Sequence, residues 1–314
     1  MTLVHWDDVE GFDIPADVKP LGGHWQRLAD AAGSVRVGAH RVRLADGEMM
    51  TPPHLHSVEE EIFHVLSGSA TLWQRGATCT VTVGDTVVFA PGGPEHTLIG
   101  AEGGVEVLVF GTRQIPESGV LPRTRVAWLA RSTVTINESH PWKAEAALGI
   151  PDGVPGDRPD NVAALDGLEG DYGGIVKHPA RASGAKRSGL NWLGLPPDAE
   201  GAPPHCHSAE EEVFVVLGGA GTLELWGSPR PGEPLPDRPD EVIPVRPGHV
   251  VARPPGTRTS HSFRSGPEGM IYLAYGTREP NDICYYPRSN KIFFRGLGVI
   301  ARLELLEYSD GEPS

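Results

Sequence analysis

Short stretches in which apolar and polar residues alternate fill both halves of the chain. In the first half they are "VRVGAHRVRL" (35–44), "ATLWQR" (70–75), "TVTVGDTVVFA" (80–90) and "VEVLVFGT" (105–112). In the second they are "TLELW" (222–226), "VIPVRPGHVVARP" (242–254) and "MIYLAYGT" (270–277). A period of two, rich in β-branched residues and bounded by Gly, Pro and Asp, predicts strands. Helical periodicity is weak, confined to "GHWQRLADAAG" (23–33) and "HPWKAEAALG" (140–149). Many short strands at regular spacing predict an all-β protein built as a sandwich or barrel.

The pattern is also duplicated. "PPHLHSVEEE" (52–61) and "PPHCHSAEEE" (203–212) agree at eight of ten positions, 151 residues apart. "LVFGTR" (108–113) returns as "LAYGTR" (273–278), and "PR" at 122–123 as "PR" at 287–288, both 165 residues apart. The growth in offset places an insertion in "GSPRPGEPLPDRPDE" (227–241), whose proline and charge predict an exposed loop. A repeat of this length means two tandem domains, since solenoid units are far shorter. The division read from the sequence is a first domain over 1–148, a Pro/Gly/Asp-rich linker over 149–161 and a second domain over 162–314.

Charge narrows the classes of partner. The chain has 314 residues and a formal net charge of −14, which disfavours nucleic acid and anionic membranes. No apolar run is long enough to span a bilayer. The start, "MTLVHWDDVEGFD", has no basic segment followed by an apolar one, so no signal peptide is expected. Cys79, Cys206 and Cys284 are too few and too scattered for a disulfide framework. Reduced thiols and a cytoplasmic location are the expectation.

The candidate chemistry lies in the repeated segment. On a strand, residues i and i+2 share a face, so His54 and His56 present two imidazoles together, as do His205 and His207. Glu61 and Glu212 open the next strand, and Glu61 shares its face with Phe63 and Val65. By this parity Glu60 faces away, and Glu59, Glu60, Glu210 and Glu211 are expected to be solvated non-ligands. A third histidine follows a Pro/Gly turn in each half, His96 and His261. Three imidazoles and a carboxylate suit a borderline divalent metal and leave coordination positions for substrate.

These strings, His54-x-His56-x4-Glu61-x6-Gly68 with Gly84-x6-Pro91-x-Gly93-x2-His96, closely resemble the two motifs of the cupin superfamily. The second half repeats the first motif, but four residues separate Gly256 from His261. The chain therefore resembles a bicupin. The resemblance implies two tandem jelly-roll β-barrels with a few short helices. It also implies one metal in each barrel, held by His54, His56, Glu61 and His96, and by His205, His207, Glu212 and His261.

The leading functional expectation is an oxygenase similar to the bicupin flavonol and aromatic-ring dioxygenases. It would use Fe(II), with Mn, Ni, Zn or Cu as other candidate metals, and dioxygen as a candidate co-substrate. A scatter of aromatics and few inward-looking Arg or Lys lean toward a small aromatic or enolic substrate. Arg43, Arg253 and Arg258 are read as solvated. Glu61, as a ligand able to take a substrate proton, and His40, on the strand leading into the motif, are the candidate catalytic residues. The alternatives are a non-redox isomerase, decarboxylase or hydrolase, and a module that binds metal or a small ligand without turnover. A homo-oligomer is compatible with the sequence. His64 is expected on a surface or interface, and Cys206 faces away from the histidines that flank it.

Overall fold

The computed structural model describes residues 2–114, 116–129, 132–134 and 140–312. Among the described residues, strands form a nine-stranded and a seven-stranded sheet, each accompanied by a four-stranded sheet. The nine-stranded sheet is dominated by the strands Glu61–Gln74 and His96–Thr112, and the seven-stranded sheet by Glu212–Gly227 and Thr259–Gly276. The His-x-His segments lie on the four-stranded sheets. Leu55–His56 pairs with Ser118–Leu121, and Cys206–His207 with Ile283–Tyr286. In each half the two sheets face each other around an apolar interior, the jelly-roll arrangement. The two helical expectations shrink to short pieces, Leu28–Ala31 and Pro141–Ala147, and residues 24–27 of the first are strand. Residues 228–240 connect two paired strands as the insertion predicted.

Parity along Glu61–Gln74 runs as the alternation predicts. Phe63 and Val65 point into the first barrel, against Val42, Val87, Phe89, Val107 and Val109. Gly68 at φ 71° sits at a register shift of this strand, and a Cβ there would fall 2.1 Å from the Gly104 carbonyl oxygen. Gly219 at φ 64° repeats this against Gly269, which explains why the motif needs glycine at both places.

The outward faces are not solvated, because the two barrels share a core. Ile62, Val88, Leu108 and Phe110 of the first half pack with Val213, Val250, Leu273 and Tyr275 of the second. Phe110 stacks on Tyr275 with ring centroids 5.1 Å apart and planes at 13°. Backbone pairing also crosses the linear division. Thr2–His5 pairs with His249–Arg253 of the second half, and Val162–Ala164 with Asp85–Phe89 of the first. Val154–Pro155, inside the stretch read as linker, adds in parallel to Ala77–Thr82. Each exchange covers a strand edge that would otherwise be open.

Two acids expected in solvent anchor this interface. Glu60, 1% exposed, accepts hydrogen bonds from the backbone N–H groups of Lys186, Arg187 and Ser188 and from the Ser188 hydroxyl. Glu211, 0% exposed, accepts from the N–H groups of Val35 and Arg36 in the opposite direction. The parity expectation was right that these side chains leave the barrel. What lies outside the barrel is the other half of the molecule. His64 is buried for the same reason and bonds to the Thr86 hydroxyl at 2.9 Å.

Candidate metal centres

In the first half, three imidazoles close on one carboxylate oxygen. His54 and His96 bridge through their backbones, which fixes the loop ahead of the motif against the start of His96–Thr112. The Nδ1 atoms of His54 and His96 lie 2.9 and 3.1 Å from the carbonyl oxygens of Pro52 and Pro94. Those contacts turn both Nε2 atoms inward. Glu61 Oε2 is 3.9 Å from His54 Nε2, 3.9 Å from His56 Nε2 and 3.1 Å from His96 Nε2. Burial alone would raise the Glu61 carboxyl. The hydrogen bond with His96 and the neighbouring histidines outweigh it and hold Glu61 at about 2. Burial pushes His54 down to about 3, so its ring is a neutral lone-pair donor at physiological pH.

The second half repeats the arrangement. Glu212 Oε2 is 3.8 Å from His205 Nε2, 3.2 Å from His207 Nε2 and 3.1 Å from His261 Nε2. The looser spacing before His261 does not remove it from the cluster. Its backbone bridges His205 as His96 bridges His54. Its effect appears at Nδ1, which has no hydrogen-bond partner among the described residues. Burial lowers His261 to about 3.

Both donor sets fit a divalent cation. His56 Nε2, His207 Nε2, His261 Nε2 and Glu212 Oε2 are buried without a hydrogen-bond partner among the described residues. Buried polar atoms are normally satisfied, and these converge on a common point. Neutral imidazole with carboxylate is the chemistry of first-row divalent ions. The eight residues singled out by the motifs are thus brought together in two groups of four.

Each centre has a further carboxylate that the motifs did not reveal. Glu117 lies 3.4 Å from His56 Nδ1 and accepts from the N–H groups of Ser57, Val58 and Glu59. Asp282 lies 2.6 Å from His207 Nδ1 and accepts from the N–H groups of Ala209 and Glu210. Asp282 orients His207 through this hydrogen bond and increases its donor strength, while Glu117 stands beside His56 at ion-pair distance. Glu117 and Asp282 are 165 residues apart, the offset of the flanking "GTR" and "PR" repeats, so the duplication contained the signal.

The remaining acids divide. Glu59 accepts from the N–H of Gln114 at 3.0 Å, and burial raises its carboxyl to about 7. Glu210 is buried and paired with Arg295. Neither is the free surface residue expected from sequence. His40 is half-buried on the strand Val37–Leu44, and burial lowers it to about 4. It lies within electrostatic reach of Glu61 and makes no hydrogen bond to it. Its counterpart Asn191 bonds to His178, whose Nε2 meets Asp171 at 3.0 Å.

The surroundings of the two centres differ. Trp128 packs against the first, its ring 5.9 Å from His54 and 6.1 Å from His56. The indole lies flat on Gly119, where a Cβ would approach Cζ2 to 1.8 Å. Beyond it is an aromatic-walled cavity of about 490 Å³, lined by Trp128, Trp142, His140 and Val18. The second centre opens directly into a cavity of about 520 Å³. His205, His207 and Glu212 line it together with Asn191, Arg181, Arg278 and Arg295. Three arginines here correct the expectation of few inward-looking basic residues. Arg253 is likewise buried rather than solvated.

Residues 40–110 match the Cupin domain family. No curated protein matches the chain. The fold is similar to that of Bacillus subtilis oxalate decarboxylase, in a structure concerned with its Mn(II) centres. The TM-score is 0.57 at 16% identity, over 88% of this chain and 77% of that one. It is also similar to Lactobacillus farciminis oxalate decarboxylase in complex with formate. There the TM-score is 0.58 at 12% identity, over 88% of this chain and 86% of that one. The chain therefore has the two-barrel fold of these bicupin enzymes, with a cupin domain in its first half.

Proposed function

We propose that the chain is a divalent-metal-dependent enzyme that transforms a small carboxylic acid at its second centre, by non-redox chemistry of the decarboxylase or isomerase type. The observation that carries this reading is the basic cavity of about 520 Å³ that reaches the ligand atoms of His205, His207 and Glu212. The similarity to oxalate decarboxylases supports a reaction of the decarboxylase type on a small acid and makes Mn(II) the first metal to test. Each centre would hold one ion on its three histidines and its glutamate, and the first would be mainly structural behind Trp128.

A divalent ion in the second cluster would act as a Lewis acid, stabilising negative charge that develops on a bound carboxylate or enolate. The chain's own residues account for the rest. Asp282 holds His207 in one orientation, and the arginines supply positive charge in a partly dehydrated cavity, where it acts strongly on an acid substrate. Asn191 lines the wall, its oxygen held by His178, and its amide N–H group can donate to a substrate oxygen.

An Fe(II) dioxygenase acting on an aromatic compound is the second reading, and the aromatic cavity next to Trp128 favours it for the first half. One experiment separates the two. Metal-depleted protein is reloaded with Mn(II) or Fe(II) and assayed against small carboxylic acids for carbon dioxide release or isomerisation, with oxygen uptake recorded in parallel. Product formed with Mn(II) and without oxygen consumption is the expected result. Strictly oxygen-dependent turnover with Fe(II) alone would replace the proposal by the second reading.

A further inference from the structure

The duplication allows the mouths of the two barrels to be compared position by position. In the first, Asp30 on the helix Leu28–Ala31 forms an ion pair with Arg113, just past His96–Thr112. The counterpart of Arg113 at offset 165 is Arg278, so the arginine is retained. The counterpart of Asp30 at offset 151 is Arg181, on the helix Pro179–Ala182, so the acid has become a base. A closed ion pair in one barrel is matched by two like charges in the other.

Among the described residues, neither Arg181 nor Arg278 has a carboxylate partner or a hydrogen-bond acceptor. Arg278 is half-buried, and burial disfavours its charge; Glu210 and Glu60 attract it, while Arg295 and Arg181 repel it. The neighbouring acids make their own contacts elsewhere. Glu210 and Asp282 both lie against Arg295, and Asp171 is engaged by His178. Two guanidinium groups that line one cavity and, among the described residues, form no ion pair, in a chain of net charge −14, suit an anion.

Its distance from the metal cluster restricts the ligand. Glu212, Gly276 and Gly189 are successive partners across three neighbouring strands. The Arg278 guanidinium lies over Gly189, where a Cβ would meet Nε at 2.4 Å. Two inter-strand steps of about 4.8 Å put Gly189 roughly 10 Å from Glu212 along the sheet. Oxalate, with its carboxyl carbons directly bonded, is too short to use both ends of this space.

We propose that Arg181 and Arg278 form a clamp for a second acid group of the substrate. The ligand would carry one carboxylate at the metal cluster and another at the mouth, separated by several carbon atoms. This rests on the reading of the second centre as reactive, and it makes the exchange at position 181 the determinant of specificity.

Titration calorimetry on the metal-loaded protein with acetate, oxalate, glutarate and inorganic phosphate tests it. Glutarate should bind about tenfold or more tightly than acetate, the gain expected of a charge-assisted guanidinium pair. Arg181→Asp, which recreates the ion pair of the first barrel, and Arg278→Gln should each abolish that advantage, weakening glutarate at least about tenfold more than acetate or oxalate. Arg181 is exposed, so its variant should fold, and unchanged metal content verifies this. Equal glutarate affinity in wild type and Arg181→Asp would overturn the clamp. Phosphate binding as tight as glutarate, lost in the same variants, would overturn the carboxylate assignment and give the mouth a phosphoryl group instead. Arginine-dependent glutarate binding with no acid turned over would leave the clamp standing and count against the proposed function.

Discussion

The two centres have nearly the same inner arrangement and different surroundings. Each has three histidines around a glutamate, with an acid behind the second histidine of the pair. Around the first, Gly119 faces Trp128 across a strand pair, and the indole fills the space above the histidines. At the equivalent positions of the second stand Cys284 and Phe293, and the centre opens to a basic cavity. Duplication thus preserved the donor set, which few residue types can supply, and changed the walls, which many can. A metal motif thus locates a centre, while the residues around it decide what can reach it.

The largest effects should come from the adjacent acids. Glu61→Gln or Glu212→Gln removes the charged ligand and should lower metal affinity in its own barrel more than about 100-fold, equivalent to about 2.7 kcal/mol. Glu60→Gln and Glu211→Gln should leave both ions in place and lower stability by about 2–3 kcal/mol each, because backbone donors lose a charged acceptor. Metal analysis and urea unfolding on the four proteins separate the two roles. Metal loss in Glu60→Gln would show the strand register to be wrong.

Asp282→Asn and Glu117→Gln sharpen the comparison at the next shell, each expected to weaken its own centre by about 10–100-fold. An equal effect on both centres would break the claim that they are separately built. Trp128→Ala should expose the first centre and speed release of its ion to a chelator by roughly tenfold, the equivalent of about 1.4 kcal/mol in barrier. Release from the second centre should not change.

The smallest effect concerns pH. Burial depresses His54 and His261 to about 3 and His64 to about 4, below the ordinary 6.5. Below 6.5 the unfolded chain takes up protons that the folded chain refuses. Stability of the metal-free protein should therefore fall as pH drops from 6.5 toward 4. His64→Val, the residue of the duplicate half, should remove part of that slope in urea midpoints measured at pH 7.5 and 5. An unchanged slope would show that His64 is protonated in the folded state.

Much of the fold was legible because alternation and duplication are local patterns. The inward set of Glu61, Phe63 and Val65 and the loop at 228–240 follow from parity and offset alone. The fate of the outward set was not legible. Ile62, His64 and Glu60 face the second barrel, and nothing near them in sequence announces residues 180–190. Glu117 and Asp282 could have been found at the 165-residue offset, but each serves a histidine more than fifty residues earlier across a loop. The basic mouth combines Arg181 and Arg278 from separate elements, so only the folded chain displays the two charges together.

The central claim, that both centres hold metal and the second does the chemistry, is tested most directly by paired measurements on His56→Ala and His207→Ala. Metal content and turnover of a small carboxylic acid are determined on the same preparations. Each variant should lose one ion, and turnover should fall more than about 100-fold only in His207→Ala, as when a group required in the transition state is removed. Full turnover in His207→Ala with loss of activity in His56→Ala would contradict the claim and move the chemistry to the first barrel.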